Sequence, residues 1–219
     1  MSEPSKKIGW LRVLGIDPAA AGPTGYGVVE SDGRLCRLLH YGAVKVAAKR
    51  RKECAGAALQ DVHARVCGLI DEFSPDAVAV ESVFTALNMR TALRLAEVRG
   101  VILLAAAQHG VLVYSYAPRE VKASVTGHGH ADKRQMQLMV RALLSMNETP
   151  EPSDAADALA VALCHLQTER ARRRFGLPDL DSPAKPRALR GTADSSGSPN
   201  EIRHGGATRG GLPRIVSLR

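Results

Sequence analysis

The sequence predicts an α/β domain with a mixed five-stranded sheet, three strands antiparallel and then two parallel, flanked by helices. Three apolar runs separated by turn residues open the chain, as in an antiparallel meander. Two further apolar runs each follow a longer segment of helical periodicity, which is typical of parallel strands joined through helices. The chain has 219 residues, of which 45% are hydrophobic. That is enough for one domain and too little for two.

The opening meander follows a polar N-terminus, residues 1–10, that we expect to be disordered. Residues 11–16 form a buried strand that ends at Asp17, and residues 25–30 pair back on it. The turn signal 31–34 then leads into a third strand over residues 35–46. The folded domain therefore begins at about residue 11.

Helices and two more strands alternate over the rest of the domain, which we expect to end near residue 170. The last helix has Ser153 as its predicted N-cap. The expected bounds, in chain order, are a helix from about 50 to 73, a strand at 76–80, a helix from about 89 to 108, a strand at 111–116, helices at 119–124 and 133–146, and a helix from 153 to about 170.

The last helix begins with a pair of acids, Asp154 and Asp157. Their spacing of three puts both carboxylates on one helical face. The rest of the helix is rich in alanine, leucine and valine, so we expect it to lie close against a sheet. The alternative is that the acids only complement the helix dipole at its N-terminus.

Two more isolated acids, Asp17 and Glu81, end apolar strands. A charged group in such a place is costly to bury without a partner. Gly15, Gly25 and Gly27 beside the first acid would let another backbone or a phosphate come close. The alternative for Asp17 is a cap on the turn at Pro18.

The four acids are expected to converge, since ligands gather beyond the strand ends of such sheets. Four neighbouring carboxylates repel and raise one another's pKa values unless cations bind. All-oxygen ligands favour Mg²⁺, or Mn²⁺, and two ions about 4 Å apart stabilise the attacking and leaving oxygens of a phosphodiester displacement. Lys122 and Lys133 are placed to steady the charge on the phosphate.

Four motifs resemble those of the bacterial Holliday-junction resolvase family RuvC. They are VLGIDP at 13–18, TGYGV at 24–28, VESVF at 80–84 with Asn88, and SDAADALA at 153–160. The resemblance covers about residues 11–168 in order and in spacing. It implies an RNase H-like fold, a homodimer, Mg²⁺-dependent paired nicking of four-way DNA junctions, and partnership with the RuvA–RuvB branch-migration motor.

The resemblance also implies roles for single residues. The acids matching Asp17, Glu81, Asp154 and Asp157 bind the metals in that family, and the lysines matching Lys122 and Lys133 act near the scissile phosphate. The phenylalanine matching Phe84 stacks at the junction centre, although a core role is the alternative here. The chain departs from the family at Ala19–Ala20, where Gly-Ser is usual, and at Leu87, where a basic residue is common.

Basic residues outside the pocket are candidate DNA contacts, although a solvated surface is the alternative for them. The formal net charge is +8, and most of the excess lies from residue 170 onward, where there are 11 Lys/Arg and 4 Asp/Glu. We therefore expect a basic, disordered tail over 171–219 that contacts DNA without sequence preference. The other predicted DNA contacts are Lys49, Arg50, Arg51, Lys52, Asn88, Arg90 and Arg119.

The remaining features favour a cytoplasmic protein and leave two other functions open. The four cysteines are scattered, the first residues carry no signal-peptide pattern, and no apolar run is long enough to cross a membrane. An actin-like kinase or ATPase would need a second domain. An RNase H-like nuclease for another branched or hybrid substrate, and a non-catalytic DNA-binding module of the same fold, remain alternatives.

Overall fold

The five predicted strands form one sheet in the computed structural model, which describes residues 9–44, 56–82 and 88–177. The strand order is β3-β2-β1-β4-β5. The β1–β2 and β2–β3 pairs are antiparallel, whereas β1–β4 and β4–β5 are parallel. The strands are β1 Leu11–Asp17, β2 Thr24–Ser31, β3 Cys36–Val44, β4 Ala77–Glu81 and β5 Leu112–Tyr116.

Five helices accompany the sheet within the described residues. They are α1 Ala57–Phe73, α2 Met89–Gln108, α3 Pro118–Thr126, α4 Lys133–Leu143 and α5 Ser153–Phe175. None of them is long and apolar enough to span a bilayer. The expected start of α1 near Arg50 lies outside the described residues.

Three expected helix ends are wrong. The N-cap of α5 is Pro152, in an extended conformation, and Ser153 is already the first helical residue. This helix continues to Phe175, past the expected end near 170, because it stops only where Gly176 takes the left-handed conformation with φ 61°. Helix α4 ends at Leu143 and not at 146, since Ser145 has φ 51° and turns the chain away.

The two faces of the sheet bury different helices because side chains alternate along each strand. Leu14, Ile16 and Val80 belong to the apolar cluster formed with α1 and α2. Val13 and Ala79 belong to the opposite cluster, formed with α3, α4 and α5. Helix α5 is buried from Ala155 to Leu166 except at the half-buried Asp157, since the sheet covers one side of it and the shorter helices another.

Glycines in β1 and β2 bring the α5 backbone directly onto the sheet. A Cβ added at Gly15 would lie 2.2 Å from the carbonyl oxygen of Ala158, and one at Gly25 would lie 1.9 Å from that of Asp154. Only a residue without a side chain fits at either place. The predicted close approach of another backbone is therefore made by α5 itself.

Arg12 and Trp10 lie at the opposite end of the sheet, where each contacts residues of neighbouring elements. The Arg12 guanidinium donates to the Phe73 carbonyl at the end of α1 and, at 2.9 Å, to the Glu30 carboxylate on β2. The guanidinium of Arg37 lies 4.3 Å from the centre of the Trp10 ring, and Trp10 remains 39% exposed. This end is therefore tied together by polar contacts between the strands and α1.

Replacement of Gly25 by alanine tests the close approach. The added methyl would overlap the Asp154 carbonyl, so we expect Gly25→Ala to lower the free energy of unfolding by about 3 kcal/mol in urea titrations. Gly68→Ala is the control, because a Cβ at this helical position meets nothing within 4 Å. The control should raise stability by about 1 kcal/mol. Equal stability of Gly25→Ala and wild type would contradict the packing described.

Candidate active site

Asp17 and Glu81 lie side by side at the carboxyl ends of the two central strands. The parallel register pairs Ile16 with Val80, so the next residue of each strand comes out at the same edge. Alternation puts Asp17 on the face of Gly15, which α5 covers. The two carboxyls hydrogen-bond each other. Residues 64 positions apart in the chain are thus in contact.

The N-terminal end of α5 adds Asp154, in its first turn, and Asp157 to this edge. Both carboxylates repel the charge on Asp17. Asp157 lines the same pocket as Asp17 and Glu81, whereas Asp154 does not line it. Because the Asp154 carbonyl rests on Gly25, the close helix-to-sheet contact fixes where these acids lie.

The pocket between the acids and the two short helices has a volume of about 280 Å³. Helix α3 supplies Lys122, and α4 supplies Lys133 at its first position. The other lining residues are Pro118, Val121, Met136 and Ala160. A larger pocket, of about 560 Å³, lies at the opposite end of α5 among arginines and leucines, but it does not contain the converging acids.

Burial and mutual repulsion alter the acidity of the pocket. Desolvation first, and then the Glu81 and Asp157 charges, raise the pKa of Asp17 to about 8. Burial also raises the pKa of Glu81 and that of Asp157. Asp17 therefore holds a proton at neutral pH and donates it to Glu81. The pocket contains more buried carboxylate than its lysines can neutralise.

The two lysines oppose this effect from the rim. Lys133 Nζ lies 3.4 Å from Asp157 Oδ2, in a pair whose side chains are 58% and 34% exposed. The Lys122 charge lowers the pKa of both Glu81 and Asp157, although burial outweighs it. The lysines thus face the same space as the acids, where they would meet an anionic substrate.

The donor set of the pocket suits a hard divalent cation in charge and chemistry. Carboxylate oxygens are the ligands that Mg²⁺ prefers, and a cation would remove the repulsion that keeps Asp17 protonated. As the side chains stand, no group of three or more His, Cys, Asp or Glu within the described residues is arranged to hold an ion. The residues therefore fit the cation by the chemistry of their oxygens, some of which the Asp17–Glu81 hydrogen bond and the Lys133–Asp157 pair occupy.

The predicted DNA contacts are placed in part. Asn88 caps α2, where its side-chain oxygen accepts the Thr91 N–H at 2.9 Å. Arg90 is exposed on the first turn of α2, and Arg119 is exposed on α3. Their DNA contacts stay predictions. Phe84, Leu87 and the basic run Lys49, Arg50, Arg51 and Lys52 lie outside the described residues.

A buried polar pair behind the pocket was missed from the sequence. The Tyr116 hydroxyl lies 2.7 Å from His165 Nδ1, and the residues are 3% and 1% exposed. The available signal was a histidine inside an otherwise apolar helix, facing the tyrosine that ends β5. Sequence reasoning treated His165 only as part of the helix and Tyr116 only as part of the strand.

A family model described as crossover junction endodeoxyribonuclease RuvC matches residues 13–165. The chain belongs to the RuvC family. The RuvC of Chloroflexus aggregans is 46% identical over 167 residues, which cover 76% of this chain and 99% of that protein. The RuvC of Caldicellulosiruptor saccharolyticus is 43% identical over 157 residues, which cover 71% of this chain and 92% of that one.

Solved structures agree with the family assignment. Thermus thermophilus RuvC in complex with a Holliday junction substrate superposes with a TM-score of 0.69 at 40% identity, over 76% of this chain and 97% of that one. The yeast mitochondrial Holliday junction resolvase Ydc2 has a TM-score of 0.54 at 15% identity, which shows the fold alone. The predicted RNase H-like fold and the predicted family are confirmed.

The raised pKa of Asp17 predicts a pH dependence of stability in the ion-free protein. Between pH 3.8 and about 8 the folded state holds a proton that the unfolded state has lost, so stability falls as pH rises through this window. Asp17→Asn removes the penalty. In EDTA at pH 8 we expect this variant to unfold with a free energy higher by on the order of 2 kcal/mol, and the gain to shrink toward pH 4.

Urea titrations at several pH values measure this dependence. Glu72→Gln, which replaces an exposed carboxyl on α1, is the matched control and should keep the wild-type slope. Parallel curves for wild type and Asp17→Asn would mean that Asp17 is ionised in the folded protein.

Proposed function

We propose that this chain is a crossover junction endodeoxyribonuclease that resolves four-way DNA junctions by hydrolysing phosphodiester bonds. The observation that carries the proposal is the convergence of Asp17, Glu81 and Asp157 with Lys122 and Lys133 on one pocket. Family membership supports the substrate, since the Thermus relative is described with a Holliday junction. The reaction serves recombination and repair.

Catalysis is proposed to depend on Mg²⁺, with Mn²⁺ as the alternative, at two ions per active site. Asp17, Glu81 and Asp157 would hold the ions together with Asp154 on the same helical turn. Bound cations supply an activated water and stabilise the negative charge of the displaced oxygen. The raised pKa of Asp17 supports this proposal, because the pocket lacks positive charge.

The protein's own groups orient the substrate. Lys122 and Lys133 face the pocket from two different helices, so they can contact the scissile phosphate from two sides. Lys133 now pairs with Asp157, and release of this carboxylate would free the ammonium for the phosphate. Exposed Arg90 and Arg119 are proposed to contact the DNA backbone.

Paired symmetric cleavage requires two active sites, so we propose a homodimer. An exposed apolar face of α2 supports the proposed homodimer. Met89, Leu93 and Leu104 lie on this face and are 74%, 58% and 52% exposed, and Leu112 on the edge strand β5 is 54% exposed. An exposed apolar surface of this kind marks an interface, and a second copy of the chain would cover it.

The cellular setting is proposed from the family. We expect the protein to act in the cytoplasm with the RuvA–RuvB branch-migration motor, which would deliver the junction. The exposed apolar and basic surfaces of the domain are compatible with such an assembly, and DNA itself remains the proposed substrate.

Cleavage of a synthetic immobile four-way junction tests the function. Wild type with Mg²⁺ should nick the junction at symmetric sites, and should leave a plain duplex and an RNA–DNA hybrid intact. Asp17→Asn should reduce the cleavage rate by about a thousandfold or more while the junction still binds, since a carboxylate ligand is lost.

Gel assays with and without EDTA measure both cleavage and binding. Glu72→Gln is the control and should cut at the wild-type rate. Cleavage of the hybrid in preference to the junction would favour the other RNase H-like activity, and binding without any cleavage would favour the non-catalytic module.

Light scattering after size exclusion tests the homodimer. Wild type should have twice the chain mass of 23.3 kDa, and Leu93→Glu/Leu104→Glu should have the mass of one chain, because charges cannot be buried at such an interface. Leu35→Glu changes a leucine that is 63% exposed on the β2–β3 turn and should stay dimeric. An unchanged mass for the double variant would place the interface elsewhere.

A further inference from the structure

Tyr116 and His165, the pair missed from the sequence, connect three elements around the active-site pocket. These are the strand ends, α3 and α5. Tyr116 ends β5 and pairs with Glu81 in the parallel register. Its carbonyl accepts the Ser82 N–H at 2.8 Å. Its side chain crosses to α5, where the hydroxyl lies 2.7 Å from His165 Nδ1.

The charge states of the two partners follow from the burial of both groups. Burial lowers the pKa of His165 to about 4, with a smaller effect from the Arg172 charge. Burial also raises the pKa of Tyr116. The hydroxyl is therefore protonated and the imidazole is neutral at pH 7. The bond therefore joins two neutral groups, and the tautomer of the imidazole decides which of them donates.

Aromatic contacts hold the imidazole in place. The His165 ring centre lies 4.5 Å from that of Tyr114 and 5.8 Å from that of Tyr116, in tilted and edge-on arrangements. A neutral ring held between two strand residues has little freedom to turn. These contacts therefore hold the imidazole in place beside the tyrosine hydroxyl.

The position of Tyr116 gives the bond a consequence for the pocket. Helix α3 begins at Pro118, two residues after Tyr116, and carries Lys122 into the pocket. The neighbouring strand end carries Glu81, and the helix that carries His165 also carries Asp157. This buried bond thus connects the segments that hold a lysine and two acids, beside a second bond between α3 and α5 from the Ser124 hydroxyl to Gln167 Oε1 at 2.7 Å.

We propose that the Tyr116–His165 hydrogen bond positions Lys122 and Glu81 relative to Asp157, and that Tyr116 and His165 are positioning residues for junction cleavage. The inference rests on the proposed function. Neither side chain lines the pocket, so both act through the elements that they connect. Loss of the bond would leave junction binding intact and slow the chemical step.

A double-mutant cycle separates positioning from stability. Tyr116→Phe and His165→Phe each leave one buried polar group unpaired, which destabilises the fold. The double variant replaces both groups by apolar rings and should recover much of that stability. If the bond positions the pocket, cleavage should stay slow in the double variant although stability returns.

The measurement is single-turnover cleavage of the four-way junction at saturating enzyme, together with junction affinity and urea unfolding. We expect Tyr116→Phe and the double variant each to cut about tenfold more slowly, which corresponds to about 1.4 kcal/mol of transition-state stabilisation. The dissociation constant should stay within twofold of wild type. Val66→Ala, a core change in α1 on the opposite face of the sheet, is the control for lost stability and should cut at the wild-type rate.

Hydrogen exchange gives a readout that does not need cleavage. Amides of residues 112–126 should exchange faster in Tyr116→Phe than in Val66→Ala, because the end of β5 loses its bond to α5 and α3 keeps only the Ser124–Gln167 bond. A wild-type protein that cannot cut any junction would sink the proposed function, and the exchange rates would still decide the inference. Wild-type cleavage by Tyr116→Phe or by the double variant, or unchanged exchange over 112–126, would overturn it.

Discussion

The contact of one helix backbone with one pair of strands determines where the acids of this protein lie. Helix α5 rests on β1 and β2 at Gly15 and Gly25, with no side chain between them. The first turn of α5 therefore cannot move away from the strand ends. Asp157 and Asp154 are brought to the edge where Asp17 and Glu81 leave the sheet. The position of the site is thus set by backbone packing and does not depend on which partners the acidic side chains bind.

The convergence of the acids is electrostatically unfavourable, and the surrounding residues offset this effect only in part. The sheet and α5 exclude water from Asp17 and Glu81, and the other acids add repulsion. Lys133 and Lys122 stand on the rim and offset part of it. The proton that Asp17 retains removes part of the remaining repulsion between the carboxylates. A site strained in this way is suited to accept cations and, through its lysines, a phosphate.

Sequence reasoning reached the fold class and the family, and it singled out four acids whose role as ligands stays a prediction, because each leaves a local signal. Apolar runs with period two mark strands, and a charge at the end of such a run is conspicuous at Asp17 and Glu81. Their adjacency followed from the sheet order. Tyr116 and His165 gave no such signal, because a tyrosine in a strand and a histidine in a helix are ordinary until the fold brings them together. The pairing of Asp17 with Glu81 and of Lys133 with Asp157 also depends on distances that no spacing in the chain contains.

Local backbone conformation explains the misplaced helix ends. Ser153 has the chemistry of an N-cap, but Pro152 already holds the extended conformation that precedes the helix, so the serine joins the first turn. At the other end, the arginines before Gly176 have good helical propensity and carry α5 past the apolar segment that suggested its length. Composition changes at residue 171, whereas the helix ends only where a glycine permits the turn.

The placement of Trp10 has a practical consequence for spectroscopy. It is the only tryptophan in the chain, and it precedes β1 at the end opposite Asp17, about 20 Å along the strand. The Arg37 guanidinium covers its ring. Its fluorescence therefore reports on the end of the meander far from the carboxylates. It should change little when an ion or a substrate binds at the carboxylates. Emission changes during denaturation will follow the loss of strand pairing in the β1–β2–β3 meander, and a probe of substrate or ion binding must be introduced elsewhere.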